Sequence, residues 1–203
     1  MVRSLWTAAT GMNGQQANID TISNNLSNVN TTGYKKQRVE FEDLLYQTIK
    51  TAGTPATEDT VTPVGVQKGT GVKVAATQRM FAQGNLQNTE VSTDLAIVGE
   101  GFFRVQQYDG SYAYTRDGSF KVDSNGQLVN SNGLRVMPEI ILPENFDIST
   151  LTISDDGRVS VKVAGDDNPI QVGQMELYRF ANPAGLEAKG DNLFVTSNAS
   201  GDA

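Results

Sequence analysis

Leu5, Met12, Ile19 and Leu26 stand seven residues apart, and Ala8, Ile22 and Val29 fall three positions after Leu5, Ile19 and Leu26. A seven-residue apolar repeat is the a/d stripe of a helix that lies along another helix. Only Gln15 interrupts it over the four heptads. The rest of the segment is polar or small: Asn13, Asn18, Asn24, Asn25, Asn28 and Asn30, with Gly11 and Gly14. Asn competes for backbone hydrogen bonds and Gly loses the most backbone entropy, so such a helix is weak alone and forms when a partner covers its stripe. An amphipathic helix resting on its own core is the rival reading. The heptad period and the small residues elsewhere favour packing between chains through Leu5, Met12, Ile19, Ile22, Leu26 and Val29. The helix is expected to span residues 1–32, with Gly33 as the residue past its end.

Beyond Gly33 the texture changes. Residues 33–71 include Val39 and Phe41 among charged neighbours, then a stretch rich in Thr, Gly, Pro and Val with Pro55 and Pro63. Composition alone reads residues 48–70 as an extended linker or long loop. Residues 72–203 carry turn pairs at Asp109-Gly110, Asp117-Gly118, Asn125-Gly126, Asn132-Gly133 and Asp156-Gly157. Alternating runs flank them, such as Phe103, Val105, Gln107 and Val159, Val161, Val163. These are hairpin signals, so the fold class is mainly β with an N-terminal α-helix: an assembly helix, an extended segment, and a compact antiparallel β domain.

The chain has no histidine and no cysteine, and its formal net charge is −7. Missing these residues removes the commonest neutral-pH base, the usual transition-metal ligands and thiol chemistry. The acidic balance argues against nucleic acid and against anionic lipid, because both need Lys and Arg. Asp123-Ser124-Asn125-Gly126 and Asp155-Asp156-Gly157 hint at calcium loops, yet neither continues to a terminal Glu, so both read as turns. Asp166-Asp167-Asn168 before Pro169 reads as a solvated turn. Gly99-Glu100-Gly101 runs into Phe102-Phe103-Arg104-Val105, a strand, so no helix N-terminus is there for a phosphate. Nothing clusters the residues of a catalytic site, and neither cofactor nor metal is expected. No apolar run is long enough for a signal-peptide core or a membrane span.

The stretch from Ala17 to Lys35 resembles the N-terminal signature of bacterial flagellar rod and hook proteins, with Asn24, Asn25, Leu26, Asn28, Asn30, Thr31, Gly33, Tyr34 and Lys35 at the signature positions. Ser27 stands where the family often has Ala. Further similar stretches are Gly69-Thr70-Gly71-Val72, Gln83-Gly84-Asn85-Leu86, Asp94 to Ile97 running to Phe103, Tyr114 to Phe120, Val172-Gly173-Gln174 and Gly190 to Phe194. The resemblance implies a subunit that stacks helically with copies of itself into a rigid tube crossing the periplasm and passing motor torque to the hook. It implies proximal rod subunits, hook subunits and the surrounding rings as partners. It also implies export by the flagellar type III route and no membrane insertion. Phe41 to Ile49 and the Thr-rich segment resemble the longer insertion of one subunit type, which implies an ordered packing extension. Family members normally end in a second heptad helix that pairs with the first. No such heptads precede Ala203, so the partner of the stripe is expected outside these residues. A proximal rod or hook subunit and a free-standing β binding module are the rival readings.

Overall fold

A computed structural model of the chain describes residues 2–53, 55–57, 60–144, 146, 150–163 and 168–203. Asp166 and Asp167 of the expected turn lie outside the described residues. The chain divides into two compact units: Met1–Val29 with Lys36–Met80, and Asn30–Lys35 with Phe81–Ala203.

The first unit holds α1 (Val2–Ser27) and six strands: β1 (Gln37–Asp43), β2 (Gln47–Lys50), β3 (Pro55–Thr57), β4 (Thr60–Val61), β5 (Val66–Lys68) and β6 (Val72–Arg79). These strands pair in nested antiparallel fashion, β1 with β6, β2 with β5 and β3 with β4. They form one long ribbon, with a register shift in each pair at Glu40/Phe41, Thr48/Lys50 and Pro55/Thr57. The stretch that composition reads as a linker is therefore part of this paired ribbon. The division at residue 72 also shifts, because β6 is the partner of β1 and belongs with the helix.

The helix stops at Ser27, short of the expected residue 32. Its last regular bond runs from the Asn28 amide to the Asn24 carbonyl at 3.2 Å, and the Val29 amide already turns back to Leu26. The Asn28 side chain donates to both the carbonyl and the side-chain oxygen of Asn24. Asn side chains compete with the backbone ladder in this way, and an Asn-rich run closes the helix. Val29 consequently sits in the turn after the helix, and Gly33 is not the first residue beyond it.

The second unit contains β7 (Phe103–Gln106), β8 (Tyr112–Thr115), β9 (Lys121–Val122), β10 (Leu128–Val129), β11 (Arg135–Met137), β12 (Thr152–Ile153), β13 (Arg158–Val161), β14 (Ile170–Gln174), β15 (Glu187–Gly190) and β16 (Leu193–Val195). Seven of them make an antiparallel sheet in the order β15-β16-β8-β7-β11-β10-β9, and β12-β13-β14 make a second sheet. Strand alternation sends Phe103, Val105, Ala113 and Val136 into the main core, where Val159 and Val161 from β13 join them. A second cluster gathers Phe102, Tyr114, Phe180, Leu186 and Phe194. Its rings meet edge to face, Tyr114 on Phe180 at 4.8 Å and Phe102 on Phe180 at 5.6 Å.

Four of the five turn pairs place a glycine at positive φ, at Gly110, Gly126, Gly133 and Gly157. Gly118 differs. It lies against the backbone of Leu95, where an added Cβ would come within 1.8 Å of the carbonyl oxygen. The glycine there permits a close approach rather than a turn.

Candidate assembly surface

The helix has two faces, and the sequence shows only one of them readily. Thr10, Gly14, Ala17, Thr21 and Asn25 recur every three or four residues and are among the partly or fully buried positions of the helix, with Thr10, Gly14 and Asn25 set against the ribbon's base. Gly14 is the buried residue of α1. A Cβ there would meet the Phe41 ring at 3.2 Å and Val72 at 3.6 Å. The threonine hydroxyls are satisfied within the helix, Thr10 by the Thr7 carbonyl at 2.9 Å and Thr21 by that of Ala17 at 2.9 Å. This leaves small, internally bonded side chains that let strands approach closely. Gly71 completes the fit: at φ +131° it passes Thr10 with no room for a side chain. Thr7 donates to the Thr70 carbonyl, and Arg3 reaches the Gln47 side chain.

With its small polar face docked, α1 presents its apolar stripe to solvent. Leu5, Met12, Ile19, Ile22 and Leu26 keep between 56% and 70% of their surface exposed, as does Val29 in the following turn. Trp6 beside them is equally open. Full burial of one such side chain is worth about 1.5–3 kcal/mol, so an uncovered row of them is a strong drive towards association.

The signature residues lie elsewhere and do other work. Asn25 clasps the backbone of Gln37, donating from Nδ2 to its carbonyl at 2.8 Å and accepting its amide on Oδ1 at 2.9 Å. An asparagine side chain thus imitates a strand neighbour at the start of β1. The next residues anchor in the second unit. The Thr32 carbonyl accepts from Asn192, Gly33 adopts φ +73° against the backbone of Asp117, and Lys35 is buried with Nζ donating to the Ala82 carbonyl at 2.9 Å. An added Cβ on Gly33 would lie 2.7 Å from the Asp117 amide nitrogen. The Tyr34 amide closes a turn onto the Thr31 carbonyl. Asn30 is exposed. Burial holds the Lys35 ammonium below the ordinary lysine pKa, and the nearby Arg116 adds to it. Burial likewise lowers Arg116, which donates to the Gly99 carbonyl at 2.6 Å.

Of the expected site residues, the structure gathers the stripe on one exposed face and spreads the signature over two anchoring points. The docking face of α1 was missed by sequence reasoning. The available signal was the three-and-four spacing of Thr, Gly, Ala and Asn, the complement of the stripe.

A family described as the flagella basal body rod protein matches residues 5–35, which carry both the stripe and these clasps. A second, the flagellar hook protein FlgE/F/G D1 domain, matches residues 96–161, from the start of the main β core through β13. The flagellar basal-body rod protein FlgG of Borreliella burgdorferi is 59% identical over 201 residues, 99% of this chain and 76% of that protein. The chain belongs to the FlgG family of flagellar basal-body rod proteins. The FlgG of Buchnera aphidicola subsp. Schizaphis graminum is 50% identical over 202 residues, covering 77% of its length. The flagellar hook protein FlgE of Helicobacter pylori matches more narrowly, 46% identical over 137 residues, 67% of this chain and 19% of the hook protein. FlgG membership makes the chain a structural protein of the flagellar basal body, related to rod and hook proteins. No described helix is long and apolar enough to cross a membrane.

Proposed function

We propose that this chain is a structural subunit of the distal rod, polymerising helically with its own copies into a rigid drive shaft that carries torque from motor to hook. The observation that supports it most is the division of labour on α1: one face docked on its own ribbon, the other an uncovered heptad row. A row of this kind is worth keeping exposed only if another helix comes to cover it. Leu5, Met12, Ile19, Ile22, Leu26 and Val29 carry that packing. The Asn24-to-Lys35 signature fixes the path of the chain between its two anchoring points. Proximal rod subunits, hook subunits and the surrounding rings are the neighbours along the axis, and the flagellar type III apparatus delivers the subunit. The role is mechanical, with no catalytic step and no cofactor.

Ile19→Asp tests this. The side chain lies on the exposed face, so the substitution leaves the β core intact while placing a charge in the helix seam. Rods should be missing from basal-body preparations and cells should not swim, while purified protein keeps the wild-type melting temperature. Normal motility in that variant would overturn the assignment of the stripe.

A further inference from the structure

On β7 the alternation that buries Phe103 and Val105 sends Arg104 and Gln106 to the opposite sheet face, paired with Tyr114 and Tyr112 of β8. The Arg104 guanidinium lies 4.6 Å from the centre of the Tyr112 ring and 4.2 Å from that of Tyr178. Cation–π contacts at this distance fix a side chain that is otherwise among the most mobile. Tyr178 is itself braced, stacked edge to face on Tyr114 at 5.9 Å and bonded through its hydroxyl to Glu176 at 2.7 Å.

Among the described residues no ion pair includes Arg104, and its Nε is buried without a hydrogen-bond partner. The other arginines nearby are matched, Arg135 with Glu139 at 3.7 Å and Arg179 with Glu100. Glu176, on the same strip, accepts the Tyr178 hydroxyl and forms no ion pair with Arg104. With Nε buried, a guanidinium braced by rings can receive a carboxylate end-on, through its two terminal nitrogens. The Tyr112 ring that braces it is itself exposed, as an aromatic at an interface anchor is.

We infer that the Arg104–Tyr112–Tyr178 clamp is a contact point between β domains, receiving an Asp or Glu side chain from a second copy of this chain. Charge complementarity selects that occupant. The chain carries 23 acidic against 16 basic residues, so copies packed side by side repel unless scarce unpaired cations meet surplus carboxylates. The inference rests on the rod-subunit reading, since it needs neighbouring copies.

The test uses the full-length protein in its own cells. A photo-crosslinking benzoylphenylalanine replaces Gln106, on the same face as the clamp, and basal bodies are isolated after irradiation. Cross-linked peptides from two copies should appear, one of them containing an acidic residue. Arg104→Gln should cut their yield ~10-fold or more, as expected when one partner of a desolvated charge pair is removed. Arg104→Lys, which keeps charge but loses the flat fork, should fall between. A melting curve of purified Arg104→Gln close to wild type confirms that folding is intact. Cross-links confined to one chain or reaching a different protein, or a yield indifferent to Arg104→Gln, overturn the clamp. If the protein is missing from basal bodies altogether, the rod reading has failed instead.

Discussion

At the scale of single residues, the most informative side chain is Asn25. Its amide supplies both halves of a strand-like bond pair to Gln37, at 2.8 Å and 2.9 Å. Replacement by Ala leaves the Gln37 amide and carbonyl without those partners in a half-buried place. Losing such a pair costs about 1–3 kcal/mol, so Asn25→Ala should lower the urea midpoint and speed hydrogen exchange at the Gln37 amide. Unchanged exchange there would mean that water replaces the clasp without loss. The turn aspartates give a second expectation. Asp123 accepts the Gln127 and Asn125 amides on its carboxylate, and those bonds hold its pKa below the ordinary Asp value; the Ser111 hydroxyl does the same for Asp109. A depressed folded pKa stabilises above the unfolded value and is lost as pH falls through the folded one. Melting temperature should therefore drop as pH is taken below about 4, the ordinary Asp range, and drop less steeply in Asp109→Asn/Asp123→Asn. Equal slopes would show that these carboxylates play no part in acid unfolding.

At the scale of elements, α1 and the ribbon make one device. Gly14 is a point of close approach, with room for a hydrogen but not for a branched side chain against the Phe41 ring. Gly14→Val adds bulk there while raising helix propensity a little, so packing decides the outcome. The variant should lose helical circular dichroism and become sensitive to proteolysis within residues 2–27, while the core around Val105 and Val159 keeps its protection from exchange. Retained helicity would show that the ribbon yields instead.

The same element scale explains what was legible beforehand. The stripe could be read because its residues are apolar and periodic. Four hairpins could be read because Asp109-Gly110, Asn125-Gly126, Asn132-Gly133 and Asp156-Gly157 demand positive φ at the glycine. The docking face of α1 could not, since Thr10, Gly14 and Thr21 have no apolar signature, and Gly14 and Thr10 matter through what Phe41, Val72 and Gly71 bring against them. The ribbon was hidden for a related reason. Its pairing joins Gln47 to Lys68 and Gln37 to Arg79 across distant sequence, and local composition carries no trace of a partner that far away. The Arg104 clamp is likewise assembled from β7, β8 and the strip around Tyr178, three places the sequence keeps apart.

At the scale of the whole molecule, the residues that build the core and the apolar residues left exposed on the helix are different sets. The main core is closed by Phe103, Val105, Val136, Val159 and Val161, whereas among the described residues the helix row from Leu5 to Leu26 belongs to neither hydrophobic cluster. Folding and polymerisation should then be separable. The purified chain should associate as its concentration rises, because copies cover one another's stripes, and sedimentation should show species larger than the monomer. Placing Lys at Met12, Ile19 and Leu26 together puts three charges onto the exposed row. These positions are exposed and Lys is a good helix former, so the change costs the monomer little stability. The expected result is a chain that stays monomeric at every concentration tested and melts as wild type does. A triple variant that still associates would move the self-assembly surface off α1, and one that unfolds would show that the stripe supports the monomer's own fold.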